Sequence, residues 1–99
     1  MPYRIEYSPD AVTHLRVLTA RQQTIVLNNV RVQLTDEPTH ETKNRKLMRL
    51  NPIAPWELRI GDLRVYYDVE PEPEAIVQVR AIGVKTRNRV RIGGEVIDL

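Results

Sequence analysis

The stretch Trp56–Asp68, read as WELRIGDLRVYYD, constrains this chain more than any other. Two alternating runs meet at Gly61-Asp62, and glycine reaches positive φ at little steric cost, as a two-residue hairpin turn requires. Such a turn fixes the register. Ile60 falls opposite Leu63, Arg59 opposite Arg64, Leu58 opposite Val65, Glu57 opposite Tyr66 and Trp56 opposite Tyr67. Side chains alternate along a strand, so Trp56, Leu58, Ile60, Leu63, Val65, Tyr67 and Val69 share an apolar face. Glu57, Arg59, Arg64, Tyr66 and Asp68 share the other. Like charges directly opposed across a ladder destabilise it, so the Arg59–Arg64 pair invites an anion.

The remainder of the chain supplies partners for that hairpin. Tyr3, Ile5 and Tyr7 alternate with Arg4 and Glu6, a strand pattern that stops at Ser8-Pro9-Asp10. Ser8 suits a helix N-cap and Pro9 a first helical position. Ala11, Leu15 and Leu18 then recur at helical spacing. Thr19-Ala20-Arg21-Gln22 has capping-box form and opens a second helix to about Leu34, with Val26, Val30 and Leu34 as its stripe. Thr35–Thr42 is polar, the basic stretch Lys43–Arg49 is strand-like around Leu47, and Asn51–Pro55 is a rigid connector. Glu70–Glu74 reads as an exposed turn. Ala75–Ile82 reads as a strand, with Val77, Val79 and Ala81 on one face and Ile76, Gln78, Arg80 and Ile82 on the other. Gly83–Asn88 reads as a basic turn, and Arg89–Ile97 as an alternating tail interrupted by Gly93-Gly94. The pattern predicts one α+β domain over residues 1–99, an N-terminal strand and a helical hairpin packed on an antiparallel sheet.

Composition narrows the chemistry. The 99 residues contain no cysteine, which removes disulfides, thiolate metal sites and a cysteine nucleophile, and fits a cytoplasmic setting. No apolar run suggests a signal segment or a membrane span. Net charge is only +2, but Lys43, Arg45, Lys46 and Arg49 form one acid-free cluster, and Arg80, Lys85, Arg87, Arg89 and Arg91 a second. Segregation of this kind fits either an anionic partner or a solvated charged face. His14 and His40 lack metal-ligand spacing and read as surface residues, so no metal and no cofactor is expected. The glycines form no phosphate loop or dinucleotide fingerprint. What remains is arginine chemistry on a sheet: Arg59, Arg64 and, by alternation, Arg80. Guanidinium groups grip phosphate bidentately, and Tyr66 beside them would offer a ring to a splayed base. In the competing reading, Glu57 and Asp68 neutralise the arginines as diagonal cross-strand pairs.

The strand end Tyr7–Ala11, the Trp56–Tyr67 hairpin and the turn Ile82–Asn88 resemble the RelE/ParE superfamily of type II toxin–antitoxin toxins over nearly the whole chain. The resemblance implies a small α+β toxin held in a hetero-oligomer by a cognate antitoxin. In the RelE branch it implies a ribosome-dependent endonuclease that cuts mRNA without a metal, through attack of a 2′-hydroxyl on the adjacent phosphate. By position, Arg64 matches the arginine that stabilises the transition-state phosphate. Arg59 matches a basic residue that helps activate the 2′-oxygen, and Lys85 falls near an arginine that assists the leaving group. The clusters Lys43–Arg49 and Arg87–Arg91 would grip ribosomal RNA. Two positions depart from the pattern: Glu57 stands where a second lysine is common, and Arg91 near a stacking tyrosine. An arginine of ordinary pKa is a poor general base. Two other readings therefore stay open, a ParE-like DNA gyrase inhibitor and a non-catalytic RNA- or antitoxin-binding relative.

Overall fold

The computed structural model describes residues 2–97. Strand β1 (Arg4–Tyr7) leads into helices α1 (Pro9–Val17) and α2 (Ala20–Leu34). Strands β2 (Arg45–Leu47), β3 (Trp56–Ile60), β4 (Leu63–Glu70), β5 (Ile76–Thr86), β6 (Arg89–Ile92) and β7 (Glu95–Ile97) follow. Both helix starts are built as their residues dictate. Ser8 Oγ accepts from the Ala11 N–H, and Thr19 and Gln22 exchange the reciprocal bonds of a capping box.

The strands form one seven-stranded sheet in the order β2-β3-β4-β5-β6-β7, with β1 also paired to β5. The β3–β4 register is the one the turn demands, from Ile60 opposite Leu63 to Trp56 opposite Tyr67. Gly61 occupies φ +58° at that turn. The β1–β5 pairing is parallel, with Ile5 beside Val77 and Tyr7 beside Val79, so the sheet is mixed and not wholly antiparallel. Both helices pack on one face. Their Ala11, Val26, Val30 and Leu34 meet Leu58, Val65, Tyr67, Val77 and Val79, with Trp56 stacked on Tyr67 at 6.2 Å between ring centroids. Burying each of these valine and leucine side chains contributes about 1.5–3 kcal/mol.

Two expectations are corrected. Strand β5 runs unbroken through the glycine to Thr86, leaving only Arg87-Asn88 as the turn, with Arg87 at φ +58°. It also carries a bulge: Tyr66 pairs with Ala81 but Tyr67 with Val79, so Arg80 is an extra residue. Alternation therefore flips. Ile82, not Ala81, joins Val77 and Val79 on the helix side, and Ala81 faces the other way. The alternating tail is a hairpin in which β6 pairs with β7, interrupted at Gly93-Gly94 where its sequence breaks.

The face away from the helices is not simply wet. Ala54, Tyr66, Ala81 and Ile92 form a second small core there, closed by Met48, Ile53, Val90 and Ile97. Tyr66 and Tyr67 are both fully buried, but differ at their hydroxyls. Tyr67 Oη donates to the Pro38 carbonyl at 2.6 Å, which ties the 35–44 loop to the sheet. Tyr66 Oη makes no hydrogen bond among the described residues. Burial raises the pKa of both phenols and lifts Tyr7 to about 12. Removing an unpartnered buried hydroxyl relieves a desolvation cost, whereas removing a satisfied one loses a bond. Tyr66→Phe is thus expected to leave the urea midpoint unchanged or raise it, and Tyr67→Phe to cost about 1 kcal/mol. In the unfolded chain these phenols ionise near their ordinary pKa of about 10, so stability is held below that pH and falls as pH rises above it. Urea titrations of the wild type from pH 9 to 12 should show that fall, made shallower by Tyr66→Phe.

Candidate functional site

Directly paired residues share a sheet face, so the registers place every candidate. One row runs Arg59, Arg64, Gly83, Ile92 and Glu95 across β3 to β7. A parallel row runs Lys46, Glu57, Tyr66 and Ala81 across β2 to β5. Lys85 lies two residues beyond Gly83, hence on the same side, and its amide donates to the Asp62 carbonyl at 2.7 Å. Arg59, Arg64, Lys85 and Lys46 thus share the face opposite the helices. Gly83 permits this spacing, because a Cβ there would stand 2.5 Å from the Arg91 carbonyl.

The like-charged pair is held apart by local partners. Arg59 Nε donates to Glu57 Oε1 at 2.7 Å, with the Glu57 side chain nearly buried and that of Arg59 half exposed. Arg64 is almost buried, and its Nη1 donates to the carbonyls of Gly61 and Leu63 at 2.6 and 2.9 Å. Tyr66 Oη is the buried side-chain polar atom left without a partner among the described residues. Arg64 Nε and Nη2, which make no protein hydrogen bond there, therefore still reach solvent. The Tyr66 hydroxyl is held neutral first by burial and then by the Glu57 carboxylate, against the opposing pull of Arg64 and Arg59. That carboxylate is near enough to act on the phenol's charge without making a hydrogen bond of normal geometry to it.

Other candidates lie elsewhere. Tyr66 is fully buried in the second core, so its ring offers no face to a base. Arg45 pairs with Leu58 and points to the helix side, where it donates to the carbonyls of Gln33 at 2.7 Å and His40 at 2.9 Å. It fastens the loop after α2 to the sheet. Arg89 and Arg91 pair with Thr86 and Val84, again on the helix side. With Arg87 they border a separate groove of about 430 Å³. The two basic clusters consequently do not frame a single surface: Lys46 and Arg49 border Arg59, whereas the Arg87–Arg91 cluster lies on the reverse side. Lys43 is exposed in the loop before β2. Arg80, displaced by the bulge, stands 4.0 Å from Asp68 in a groove with Ser8, Asp10 and His14.

His14 is more than a surface residue. It is half-buried, and its Nδ1 accepts from the Ile82 N–H at 3.3 Å, beside the bulge. That role requires an unprotonated Nδ1. Along β5 the pairing with β1 ends at Val79 and that with β6 begins at Gly83, so the Ile82 N–H meets no strand there, and nothing in the local sequence announces that gap. Among the described residues no group of three or more His, Asp or Glu side chains is placed to hold a metal ion. No helix there is long and apolar enough to cross a membrane.

No protein-family model matches the sequence, and no curated protein matches it. Its structure, however, superposes on a chain of the toxin–antitoxin complex RelBE2 from Mycobacterium tuberculosis. The TM-score is 0.69 at 19% identity, over 86% of this chain and 100% of that one. The fold is RelE-like.

The Glu57–Arg59 contact differs from an ordinary surface pair because one partner is desolvated. A double-mutant cycle with Glu57→Gln and Arg59→Gln, read by urea unfolding, should give a coupling of about 1 kcal/mol. The exposed Arg4–Glu6 pair, at 3.1 Å, should give a coupling near zero.

Proposed function

We propose that this protein is the toxin of a type II toxin–antitoxin pair and a ribosome-dependent mRNA endonuclease that inhibits translation. The observation carrying this reading is that Arg59, Arg64 and Lys85, drawn from three strands, share one face of a RelE-like sheet. In the proposed reaction the 2′-oxygen of mRNA bonds to the adjacent phosphorus as the bond to the 5′-oxygen breaks. A cyclic phosphate and a free 5′-hydroxyl result. The 2′-proton leaves to water, and the 5′-oxygen takes one from Lys85. Arg64 offers Nε and Nη2 to the phosphate oxygens as charge builds on them, a role suited to a guanidinium that stays charged throughout. Arg59, fixed by Glu57, stabilises the negative charge that develops on the 2′-oxygen as its proton leaves.

The neutralising Glu57 specifically favours one alternative, a non-catalytic relative that keeps the antitoxin partner and the fold. A gyrase inhibitor is the other. Induction without an antitoxin separates the three. The endonuclease reading expects growth arrest, new mRNA 5′ ends within coding frames and intact DNA. Double-strand breaks with intact mRNA would support gyrase as target, and harmless expression the non-catalytic relative. Arg64→Ala, kept folded by circular dichroism, should lower cleavage by at least about 100-fold, in line with loss of one oxyanion donor. Arg64→Lys tests whether charge alone suffices. Full toxicity of folded Arg64→Ala would remove the assigned role.

A further inference from the structure

The loop between β2 and β3 carries a side chain that packing does not explain. Leu50 is fully exposed, and Leu47 nearby is more than half exposed. Single exposed leucines are common on protein surfaces. This one is unusual because the loop presenting it is rigid. Asn51 Nδ2 donates to the carbonyls of Arg49 and Ala54 at 2.8 and 2.9 Å. Its Oδ1 accepts from the N–H groups of Ile53 and Ala54 at 2.8 and 3.1 Å. Pro52 and Pro55 fix their own φ angles, the Met48 N–H donates to the Pro55 carbonyl at 2.7 Å, and Ala54 is buried in the second core. Leu50 therefore stands on a loop held by its own hydrogen bonds.

Its surroundings define what could cover it. A groove of about 340 Å³ runs from Leu50 to Arg59, bordered by Lys46 and Arg49 and by no carboxylate side chain. A second hollow of about 260 Å³, walled by Ile53, Ala54 and Pro55, lies against Leu50 and Met48. Cations along one wall and aliphatic surface along the other match a nucleotide, which joins an anionic phosphate to a flat apolar base. The aromatic rings do not serve here: Tyr66 is buried, and Trp56, Tyr67, Tyr3 and Tyr7 pack on the helix side.

We infer that Leu50 is a base-contacting residue: an unstacked nucleobase of single-stranded RNA packs on it while Lys46 and Arg49, beside Arg59 in the same groove, hold the flanking phosphates. Aliphatic side chains wall extruded bases or wedge between them in other nucleic-acid complexes. Leu50 would thereby select how the strand lies across Arg59, and this inference rests on the RNA-cleaving reading above.

The test uses ribosomes programmed with an uncleavable 2′-O-methyl mRNA. 2-Aminopurine is placed in turn at each position of the codon in the decoding site. Co-sedimentation reports whether the protein binds, and fluorescence reports whether a base is packed against it. Wild type should co-sediment and change the fluorescence at one codon position. Leu50→Ala, harmless to the fold because the side chain is exposed, should lose that change and bind about tenfold more weakly. An abasic nucleotide at that position should weaken wild type by a similar factor and Leu50→Ala no further, as a shared contact requires. Leu50→Trp should restore binding and the fluorescence change. Wild-type binding that Leu50→Ala leaves unaltered would overturn the base contact alone, as would an abasic penalty that persists in Leu50→Ala. Absence of wild-type binding to the ribosome would overturn the ribosome-dependent reading together with it.

Discussion

Strand β4 is buried on both faces, and the rest of the molecule is arranged around that fact. Leu63, Arg64, Val65, Tyr66 and Tyr67 are all buried. Leu63, Val65 and Tyr67 meet the helical hairpin, while Tyr66 enters a second core under the 48–55 loop and the β6–β7 hairpin. A strand covered on only one side would leave Arg64 in bulk water. Here the covering brings it into a partly desolvated setting, where Gly61 and Leu63 carbonyls fix one nitrogen of the guanidinium. Charge–charge interactions strengthen as water is excluded, so a phosphate meeting the free nitrogens would gain more than it would at an exposed arginine.

The same burial makes Glu57 decisive. A carboxylate this poorly hydrated needs a cation, and Arg59 supplies it at 2.7 Å. The pair resolves the repulsion between the two opposed arginines without neutralising Arg64, whose hydrogen bonds go to carbonyls. The face is therefore neither the fully ion-paired surface nor the open row of free arginines that the sequence leaves as alternatives. One arginine is anchored by charge and the other by dipoles.

How much of this was legible in the sequence follows from the distance over which each constraint acts. The β3–β4 register was readable to the residue because a two-residue turn leaves one pairing. The capping box at Thr19 and the Ser8-Pro9 start were readable because they are local hydrogen-bond requirements. The bulge at Arg80 was not, since Val79, Ala81 and Ile82 are all apolar and alternation cannot show which face each takes. Arg45 was misplaced for a related reason: β2 joins β3 through a long connector, and its register depends on distant contacts with Gln33 and His40. Tyr66 looked available because alternation assigns a face, not what covers it. The cover comes from Ile53, Ala54 and Ile92, remote in sequence. Of the candidate site, alternation placed Arg59 and Arg64 on one face, but it also placed Arg80 there, which the bulge displaces. Lys85 was legible only through the family resemblance, because its part of β5 reads as a turn, and the removal of Arg89 and Arg91 to the reverse side required the β5–β6 register.

The central claim is that RNA engages the face carrying Arg59 and Arg64. Guanidinium Nε–Hε resonances, assigned by single Arg→Lys variants and followed while a short uncleavable RNA is titrated in at low salt, address it residue by residue. The signals of Arg59 and Arg64 should move together and saturate at one affinity, with Arg45 unchanged. Shifts confined to Arg87, Arg89 and Arg91, with Arg59 and Arg64 still, would contradict the account.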